Sequence, residues 1–144
     1  VLTDEIFASL TAKANEREVK LFNDIDKSTT VLADNVRLEQ MLVNLIDNAI
    51  KFNRVGGSVT VTHRRHEDMD VISVIDAGEG IMPEHLGRIF ERFYRVDRAR
   101  SREIGGTGLG LAIVKHLARL HGGEVSVRSV LSEGTTFRIE LPAS

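Results

Sequence analysis

Cysteine and tryptophan are absent from this chain of 144 residues, and proline occurs only twice. Without cysteine no disulfide can hold the fold together, but a chain of this length can bury about two-thirds of its unfolded surface in one core without such a link. The lack of thiols is compatible with a reducing compartment and does not demonstrate one. We therefore expect one domain over residues 1–144.

The chain also lacks a strong net charge, an apolar run of about eighteen residues and a signal peptide. With a formal charge of −2, no field of the whole molecule attracts it to nucleic acid or to a membrane surface. Because the chain starts with Val1 rather than Met, we expect a piece of a longer protein. Any membrane anchor would then lie outside this piece.

Glycine is concentrated in one stretch, where four glycines occupy six positions from Gly105 to Gly110. Glycines let backbone amides approach a ligand closely, and the apolar helix that follows directs its N-terminal N–H groups to the same place. The stretch predicts a phosphate site. It is neither a Walker loop nor a dinucleotide loop, since Leu111 stands where those motifs need lysine or glycine. A flexible loop with a helix cap explains the pattern equally well.

Apolar spacing predicts an α/β chain with four helices and six short strands. The helices are expected over 3–17 with Thr3 as cap, 35–52 with Asp34 or Asn35 as cap, 83–92 beginning at Pro83, and 109–120. Strands are expected over 19–22, 30–33, 58–62, 71–75, 124–128 and 136–141. The third and fourth of these should form a hairpin. His63 and His66 lie at its end without a carboxylate or cysteine at ligand spacing, and we expect both to be exposed.

The second helix has two faces. Its apolar side chains fall on one stripe: Leu38, Leu42, Leu45, Ala49 and Phe52. Asn44, Asn48 and Lys51 fall on another stripe, and asparagine inside a helix costs about half a kcal/mol relative to alanine. A solvated face would explain surface polar residues in general. Here the two amides could supply an oxygen ligand for a hard cation and donors for phosphate oxygens.

A single carboxylate stands where the hairpin's second strand ends, at Asp76, followed by Gly78 and Gly80. A carboxylate beside glycines that admit a planar ring can accept a hydrogen bond from an exocyclic amine, which adenine offers. Guanine has an acceptor at that place and would be repelled. Taken alone, an aspartate that ends a strand in a glycine turn is the simpler interpretation.

A basic segment follows the third helix, with four arginines between Arg95 and Arg102. The segment indicates a polyanionic ligand. Nucleic acid is poorly supported, because the segment has one aromatic residue, Tyr94, and no second basic face accompanies it. Its place between two glycine-rich stretches favours a mobile lid over a bound ligand, at about 83–107.

Five motifs together resemble, in order, those of the ATP-binding catalytic domain of sensor histidine kinases, and they span nearly the whole chain. They are Asn44-x3-Asn48-Ala49-x-Lys51, Asp76-x-Gly78-x-Gly80, Phe90-x2-Phe93-Tyr94-Arg95, Gly106-Thr107-Gly108-Leu109-Gly110 and Gly134-Thr135. The run from Phe90 to Arg102 is similar to the PhoR-type group of phosphate-responsive kinases.

The resemblance implies a two-layer α/β sandwich, with a mixed, mostly antiparallel sheet of about five strands covered on one face by about three helices. It also implies roles: Asp76 for the adenine amine, Asn44 and Asn48 for Mg²⁺ and the phosphates, and Lys51 and Arg95 for charge at the reacting polyphosphate. The remaining expected ATP contacts are Phe52, Gly78, Gly80, Ile81, Tyr94, Gly106, Thr107, Gly108, Leu109, Gly110 and Thr135.

Two departures from the family pattern are visible. Asn53-Arg54-Val55 stands where the family usually has Thr-Pro, and Ser132 replaces a common glycine ahead of Gly134. Neither is expected to touch the residues that bind ATP, so we expect them to affect loop shape rather than activity.

The wider superfamily uses a Glu-x3-Asn motif in which the glutamate activates water or a hydroxyl group, and this chain has Asn44 at the glutamate position. An amide cannot act as a general base, which favours transfer of phosphate to a neutral imidazole over ATP hydrolysis. None of the five histidines has the sequence context of a phosphoacceptor. The acceptor is therefore expected on a separate dimerisation domain.

The resemblance also implies partners and a place in the cell. We expect a response regulator as the next acceptor, a monomeric isolated domain, a homodimeric full-length protein, and a cytoplasmic position without membrane contact in a membrane-anchored sensor. Two alternatives stay open: a nucleotide-sensing interaction module, and a superfamily ATPase without histidine phosphotransfer.

Overall fold

The computed structural model describes residues 2–25, 31, 33–78, 80–81, 83–91 and 110–142. Within these ranges the elements are, in chain order, α1 (Leu2–Glu16), β1 (Lys20–Asn23), α2 (Asn35–Lys51), β2 (Ser58–His66), β3 (Met69–Asp76), α3 (Pro83–Leu86), α4 (Gly110–Leu120), β4 (Glu124–Val130) and β5 (Gly134–Pro142).

The strands form one five-stranded sheet in the order β1-β2-β3-β5-β4. β1 and β2 run parallel, with α2 between them in the chain, and the other neighbouring strands run antiparallel. Alternation along β5 buries every second side chain, among them Phe137, Ile139 and Leu141. The sheet thus has an apolar face, and α1, α2 and α4 pack onto it. The predicted two-layer α/β sandwich is confirmed.

Helix α2 is the central element of the helical layer. Met41, Leu45, Ile46 and Ile50 are fully buried, and the helix contacts α1, α4, β2 and β3. Full burial of such side chains contributes roughly 1.5–3 kcal/mol each. This burial fixes the rotation of α2 about its axis, and with it the direction of the polar face.

Both ends of α2 are satisfied by side chains. Asp34 is the N-cap, as predicted: its Oδ1 accepts a hydrogen bond from the backbone N–H of Arg37 at 3.0 Å. At the other end, the Arg17 guanidinium donates to the carbonyls of Ile50 and Asn53. A cation that binds the last carbonyls of a helix also interacts favourably with the helix dipole.

Several predicted boundaries are wrong. Thr3 is buried within the first turn of α1, which begins at Leu2, so it is not the cap. Val31 and Ala33 are not in a strand but pack against the core as part of a connection. The helix that begins at Pro83 ends at Leu86 instead of residue 92, and residues 87–90 form turns. β4 and β5 extend further than predicted, so the Gly134-Thr135 motif lies in a strand.

A buried polar cluster lies at the end of the sheet remote from Asp76. The Asp70 side chain is 1% exposed; its Oδ1 lies 2.7 Å from His63 Nε2 and accepts from Arg65 Nε at 2.9 Å. The prediction that His63 is exposed is wrong, because the hairpin register places residue 63 and Asp70 on the same face of the sheet. His66 is exposed, as predicted.

Two opposing effects act on the pKa of Asp70. Burial raises it, but the hydrogen bonds from His63 and Arg65 and the charge of Arg65 together outweigh burial, so the pKa lies below the usual value of 3.8. A carboxyl whose pKa is lowered on folding stabilises the native state above its unfolded pKa. That contribution is lost as the pH falls through the folded pKa.

We therefore expect Asp70→Asn to lower the free energy of unfolding at pH 7 by roughly 1–3 kcal/mol, because a buried charged acceptor is lost. The deficit should shrink as the pH falls below about 4, where the wild type loses the same contribution. Urea denaturation between pH 7 and pH 3 measures both effects. The control is Asp68→Asn, the same charge change at an exposed turn position. Equal losses for the two variants at every pH would contradict this role for Asp70.

Candidate functional site

The site is organised around Asp76, the last residue of β3. The register of β3 with β5 sets Asp76 opposite Thr135. Oδ1 of Asp76 accepts two backbone hydrogen bonds, from Gly78 N at 2.9 Å and from Thr135 N at 3.2 Å. Among the described residues Oδ2 of this carboxylate has no hydrogen-bond partner, so it remains able to accept from a ligand.

The pKa of Asp76 is raised above the usual value of 3.8. Burial raises the pKa and is the larger effect. The two backbone hydrogen bonds from Gly78 and Thr135 lower the pKa, but by less than burial raises it. The ionised carboxylate therefore costs the free protein stability. A ligand that donates a hydrogen bond to Oδ2 would recover part of that cost.

Gly78 and Gly80 are needed because protein backbone approaches them closely. A Cβ on Gly78 would lie 2.9 Å from the carbonyl oxygen of Phe52. A Cβ on Gly80, where φ is +80°, would lie 2.5 Å from the carbonyl oxygen of Val130. The loop after β3 is thus packed between the end of α2 and the turn that joins β4 to β5. The sequence suggested only that these glycines admit a ligand ring.

Ser129 is a structural contributor that sequence reasoning missed. Its hydroxyl accepts from Ile81 N at 2.7 Å and lies 2.9 Å from Thr135 Oγ1. Three predicted nucleotide contacts, Asp76, Ile81 and Thr135, are therefore joined through β4 and β5. The strand expected from sequence ended at residue 128, and a serine beyond it gave no signal for this role, because serine is equally compatible with solvent.

On α2 the two predicted amides, Asn44 and Asn48, are half-buried. The Nδ2 atom of Asn44 is buried and has no hydrogen-bond partner among the described residues. A Cβ on Gly110, where α4 begins, would lie 3.8 Å from Asn44 Oδ1. A buried amide without a partner costs free energy unless a ligand or water satisfies it, so this space is a candidate binding position.

Lys51 is engaged within the protein. Its Nζ lies 3.0 Å from Asp47 Oδ2, and Lys13 of α1 lies 3.3 Å from Asp47 Oδ1. Lys51 must exchange this ion pair for a phosphate to act as predicted. The pair is partly exposed, and such pairs contribute about 0–1 kcal/mol, so the exchange is inexpensive.

Arg54 contacts the site, contrary to the expectation from sequence. Its guanidinium donates to Ala77 O at 2.6 Å, Gly78 O at 2.9 Å and Ser132 O at 2.7 Å. The expectation that neither departure from the family pattern touches a nucleotide-binding residue is therefore wrong for Arg54. Gly78 is a predicted contact, and Ser132 is the other departure.

Part of the predicted site lies outside the described residues. This applies to Tyr94, Arg95, Gly106, Thr107, Gly108 and Leu109 and to most of the predicted lid. Of the predicted residues that are described, the structure gathers Asp76, Gly78, Gly80, Ile81 and Thr135 at one end of the sheet. Asn44 on α2 lies next to Gly110 at the start of α4. Further along α2 are Asn48 and Lys51, and the C-cap of this helix is Phe52.

In the part of the chain that the structure describes, no group of three or more histidine, cysteine or acidic side chains could hold a metal ion. A hard cation at this site would take amide oxygens from Asn44 and Asn48, with a ligand's own oxygens as its other ligands. None of the described helices is both long and apolar enough to cross a membrane.

Comparison with known proteins gives consistent matches. The family of histidine kinase-, DNA gyrase B- and HSP90-like ATPases matches residues 33–144. The sensor protein SrrB of Staphylococcus aureus (strain NCTC 8325 / PS 47) is 48% identical over 106 residues, which are 74% of this chain and 18% of that protein. The chain thus spans about a fifth of the length of the curated relatives it matches.

Two solved structures have the same fold. Full-length ShkA in complex with AMPPNP superposes with a TM-score of 0.84 at 34% identity, covering 98% of this chain and 29% of ShkA. The histidine kinase ThkA in complex with the response regulator TrrA superposes with a TM-score of 0.79 at 25% identity, covering 99% of this chain and 40% of that one.

The matched residues include α2 with its amide face and every strand from β2 to β5, which are the elements that build the site around Asp76. The chain therefore belongs to the family of histidine kinase-, DNA gyrase B- and HSP90-like ATPases.

Proposed function

We propose that this chain is the catalytic domain of a sensor histidine kinase, which binds Mg-ATP and donates the γ-phosphate to a histidine on a separate dimerisation domain. The observation that carries the proposal is the Asp76 carboxylate, half-buried at the end of β3, with Oδ1 fixed by two backbone N–H groups and Oδ2 left to accept. The bound AMPPNP in the structural relative ShkA supports an adenine nucleotide as ligand.

Recognition of adenine follows from the acceptor character of Asp76. The exocyclic amine of adenine would donate to Oδ2, while Gly78 and Thr135 keep the carboxylate in place. Guanine presents a carbonyl oxygen at that position, and two acceptors would repel each other. A site built to bond a donor discriminates strongly against a ligand that lacks it.

The phosphates would lie beside α2 and the start of α4. The buried Nδ2 of Asn44 is a donor that lacks a partner among the described residues, and Lys51 supplies a positive charge after leaving Asp47. The oxygens of Asn44 and Asn48 fit Mg²⁺, which prefers hard oxygen ligands and when bound neutralises phosphate charge. Arg95, Tyr94 and the glycine stretch 106–110 are proposed as further phosphate contacts, with 83–107 as the lid.

Histidine is the acceptor that fits this site best. Hydrolysis or transfer to serine needs a general base where Asn44 stands, and an amide cannot take the proton. Asp47, the carboxylate nearest to it along α2, is paired with Lys13 and Lys51. A neutral imidazole nitrogen attacks the γ-phosphorus, the bond to the ADP oxygen breaks, and ADP leaves. The chain's own residues contribute position and charge neutralisation.

The complex of ThkA with TrrA supports a response regulator as the partner that receives the phosphate next. We propose further that residues 1–144 form one domain, monomeric when isolated, of a homodimeric, membrane-anchored sensor whose catalytic part is cytoplasmic. Membership of the PhoR-type group stays a prediction.

The first test concerns adenine. Asp76→Asn should weaken binding of AMPPNP with Mg²⁺ more than about tenfold, because an amide offers donors to the amine. It should leave the melting temperature unchanged or raise it, since the variant has no buried charge and its carbonyl can still accept from Gly78 and Thr135. Isothermal titration, with GTP on the wild type as specificity control, and calorimetric unfolding measure the two effects. Unchanged affinity, or Asp68→Asn acting equally, would contradict the assignment.

The second test concerns the transfer. The isolated domain, mixed with a matching histidine-bearing dimerisation domain and labelled Mg-ATP, should yield a phosphoprotein that is stable to base and labile to acid. Asn44→Ala should reduce this labelling by about two orders of magnitude or more. The control is a dimerisation domain whose acceptor histidine is replaced by glutamine.

The outcomes separate the alternatives. Failure of the mixture to label while the full-length protein labels would refute a transfer-competent isolated domain. Phosphate release by the domain alone, abolished in Asn44→Ala, would identify an ATPase. ATP binding that Asp76→Ala abolishes, without transfer in any reconstituted pair, would identify a nucleotide-sensing module.

A further inference from the structure

Arg54 stands at the meeting point of three segments that the sheet brings together. It follows α2 directly, and its guanidinium donates to the carbonyls of Ala77 and Gly78 in the loop after β3 and of Ser132 in the turn between β4 and β5. The three N···O distances lie between 2.6 and 2.9 Å. Hydrogen bonds from an ionised donor are about twice as strong as neutral ones.

The position of Arg54 is itself fixed. Asn53 is fully buried, its Nδ2 donates to Ser58 O at 2.9 Å, and its Oδ1 accepts from Arg54 N at 2.9 Å. Gly57 N donates to Arg54 O at 3.0 Å, which closes the connection into a tight turn. The backbone of Arg54 is thus fixed. The residue itself is exposed, and its guanidinium is restrained by the three hydrogen bonds to backbone carbonyls.

The two departures from the family pattern touch each other at this point. Ser132 has a φ of +67°, a left-handed conformation that glycine adopts without cost and other residues adopt at about 1–2 kcal/mol. Its carbonyl accepts from Arg54 Nη2. The bond from Arg54 holds the serine in this conformation, so the two positions act together where the family usually has Thr-Pro and glycine.

The peptide group between Ala77 and Gly78 is bound from both sides. Its N–H, that of Gly78, donates to Asp76 Oδ1, and its carbonyl, that of Ala77, accepts from Arg54 Nε. A shift of this peptide would change the direction of the Asp76 carboxylate, because Oδ1 is bonded to it. Arg54 therefore acts on the adenine-binding group through the backbone.

We propose that Arg54 is a positioning residue for adenine recognition: it fixes the peptide group between Ala77 and Gly78, and with it Asp76, by binding the loop after β3 to the Ser132 turn. This inference rests on the proposed function for its ligand, but the bonds that it invokes exist in the free protein. Loss of Arg54 should loosen the loop without removing any group that touches ATP.

The test uses Arg54→Ala and Arg54→Lys, with Arg64→Ala as the charge-matched control at an exposed position on β2. Amide hydrogen exchange in the free protein reports the loop directly. In Arg54→Ala the amides of Ala77 and Gly78, which are hydrogen-bonded in the free protein, should exchange about tenfold faster or more, while those of Val74 and Phe137 in the core are unchanged. Lysine should not restore protection, because one ammonium group cannot span the three carbonyls.

Binding provides the second measurement. Arg54→Ala should weaken AMPPNP binding about tenfold but weaken the 6-desamino analogue, a purine riboside triphosphate, by less than about threefold. A general loss of stability would weaken both ligands alike. The ratio of the two affinities therefore separates a positioning role from a structural one.

Each result decides something. Equal exchange at Ala77 and Gly78 in wild type and Arg54→Ala, equal losses for the two nucleotides, or full recovery in Arg54→Lys would overturn the proposal. Absence of AMPPNP binding by the wild type would refute the proposed function instead, and hydrogen exchange would still test the arginine. If Arg54→Ala does not fold, hydrogen exchange and the ratio of the two nucleotide affinities are measured on Arg54→Lys instead. Wild-type values of both quantities in Arg54→Lys would then overturn the proposal.

Discussion

The pairing of β3 with β5 is the interaction on which the site depends. It brings Thr135 to Asp76 across 59 positions of sequence, so one carboxylate oxygen is held by backbone from two segments. A carboxylate held in this way is pointed before any ligand arrives. Asp76 is half-buried at the end of a core strand, and this burial raises its pKa. A hydrogen bond from a ligand would therefore stabilise the ionised carboxylate. The hydrogen bonds that join the segments at this point thus also orient the carboxylate.

Helix α2 meets a second constraint. One side must be apolar enough to occupy the centre of the helical layer, where four of its side chains are fully buried. The side that faces α4 carries Asn44, whose amide nitrogen is buried without a partner among the described residues. A local arrangement that is unfavourable for the free protein is common at functional sites, because the ligand supplies the missing partner.

The Arg54–Ser132 contact shows how a change of motif can be absorbed. Proline restricts the backbone by its ring and glycine permits unusual angles, and both act within their own residue. Arg54 instead restrains the backbone of other segments, because its guanidinium donates hydrogen bonds to their carbonyls. The loop after β3 is then held in part by a long side chain that lies outside the motifs.

The opposite end of the same sheet face has a polar cluster of different character. At Asp70 the hydrogen bonds and charges of His63 and Arg65 outweigh burial, whereas at Asp76 burial outweighs two backbone hydrogen bonds. One carboxyl is satisfied within the protein and stabilises it. The other retains an acceptor atom and is the one suited to binding.

The sequence by itself determined the elements whose signals are local. Helical periodicity gave α2 with its two faces and its Asp34 cap, and strand alternation gave the β2–β3 hairpin and the position of Asp76 at a strand end. It failed where distant contacts override local preference: Thr3 lies inside a helix, residues 31 and 33 pack without forming a strand, and His63 is covered because the hairpin register places Asp70 beside it.

Only the tertiary structure decided which groups meet. The pairing of Asp76 with Thr135, of Ser129 with Ile81, and of Arg54 with Ser132 joins segments between 48 and 78 positions apart. No periodicity within one element records such a contact, because it depends on the order of strands in the sheet and on how helices pack over it. The residue types of the site could be predicted from the sequence. Their hydrogen-bond partners, and the contacts of an arginine outside the motifs, are set only by the pairing of the strands in the folded sheet.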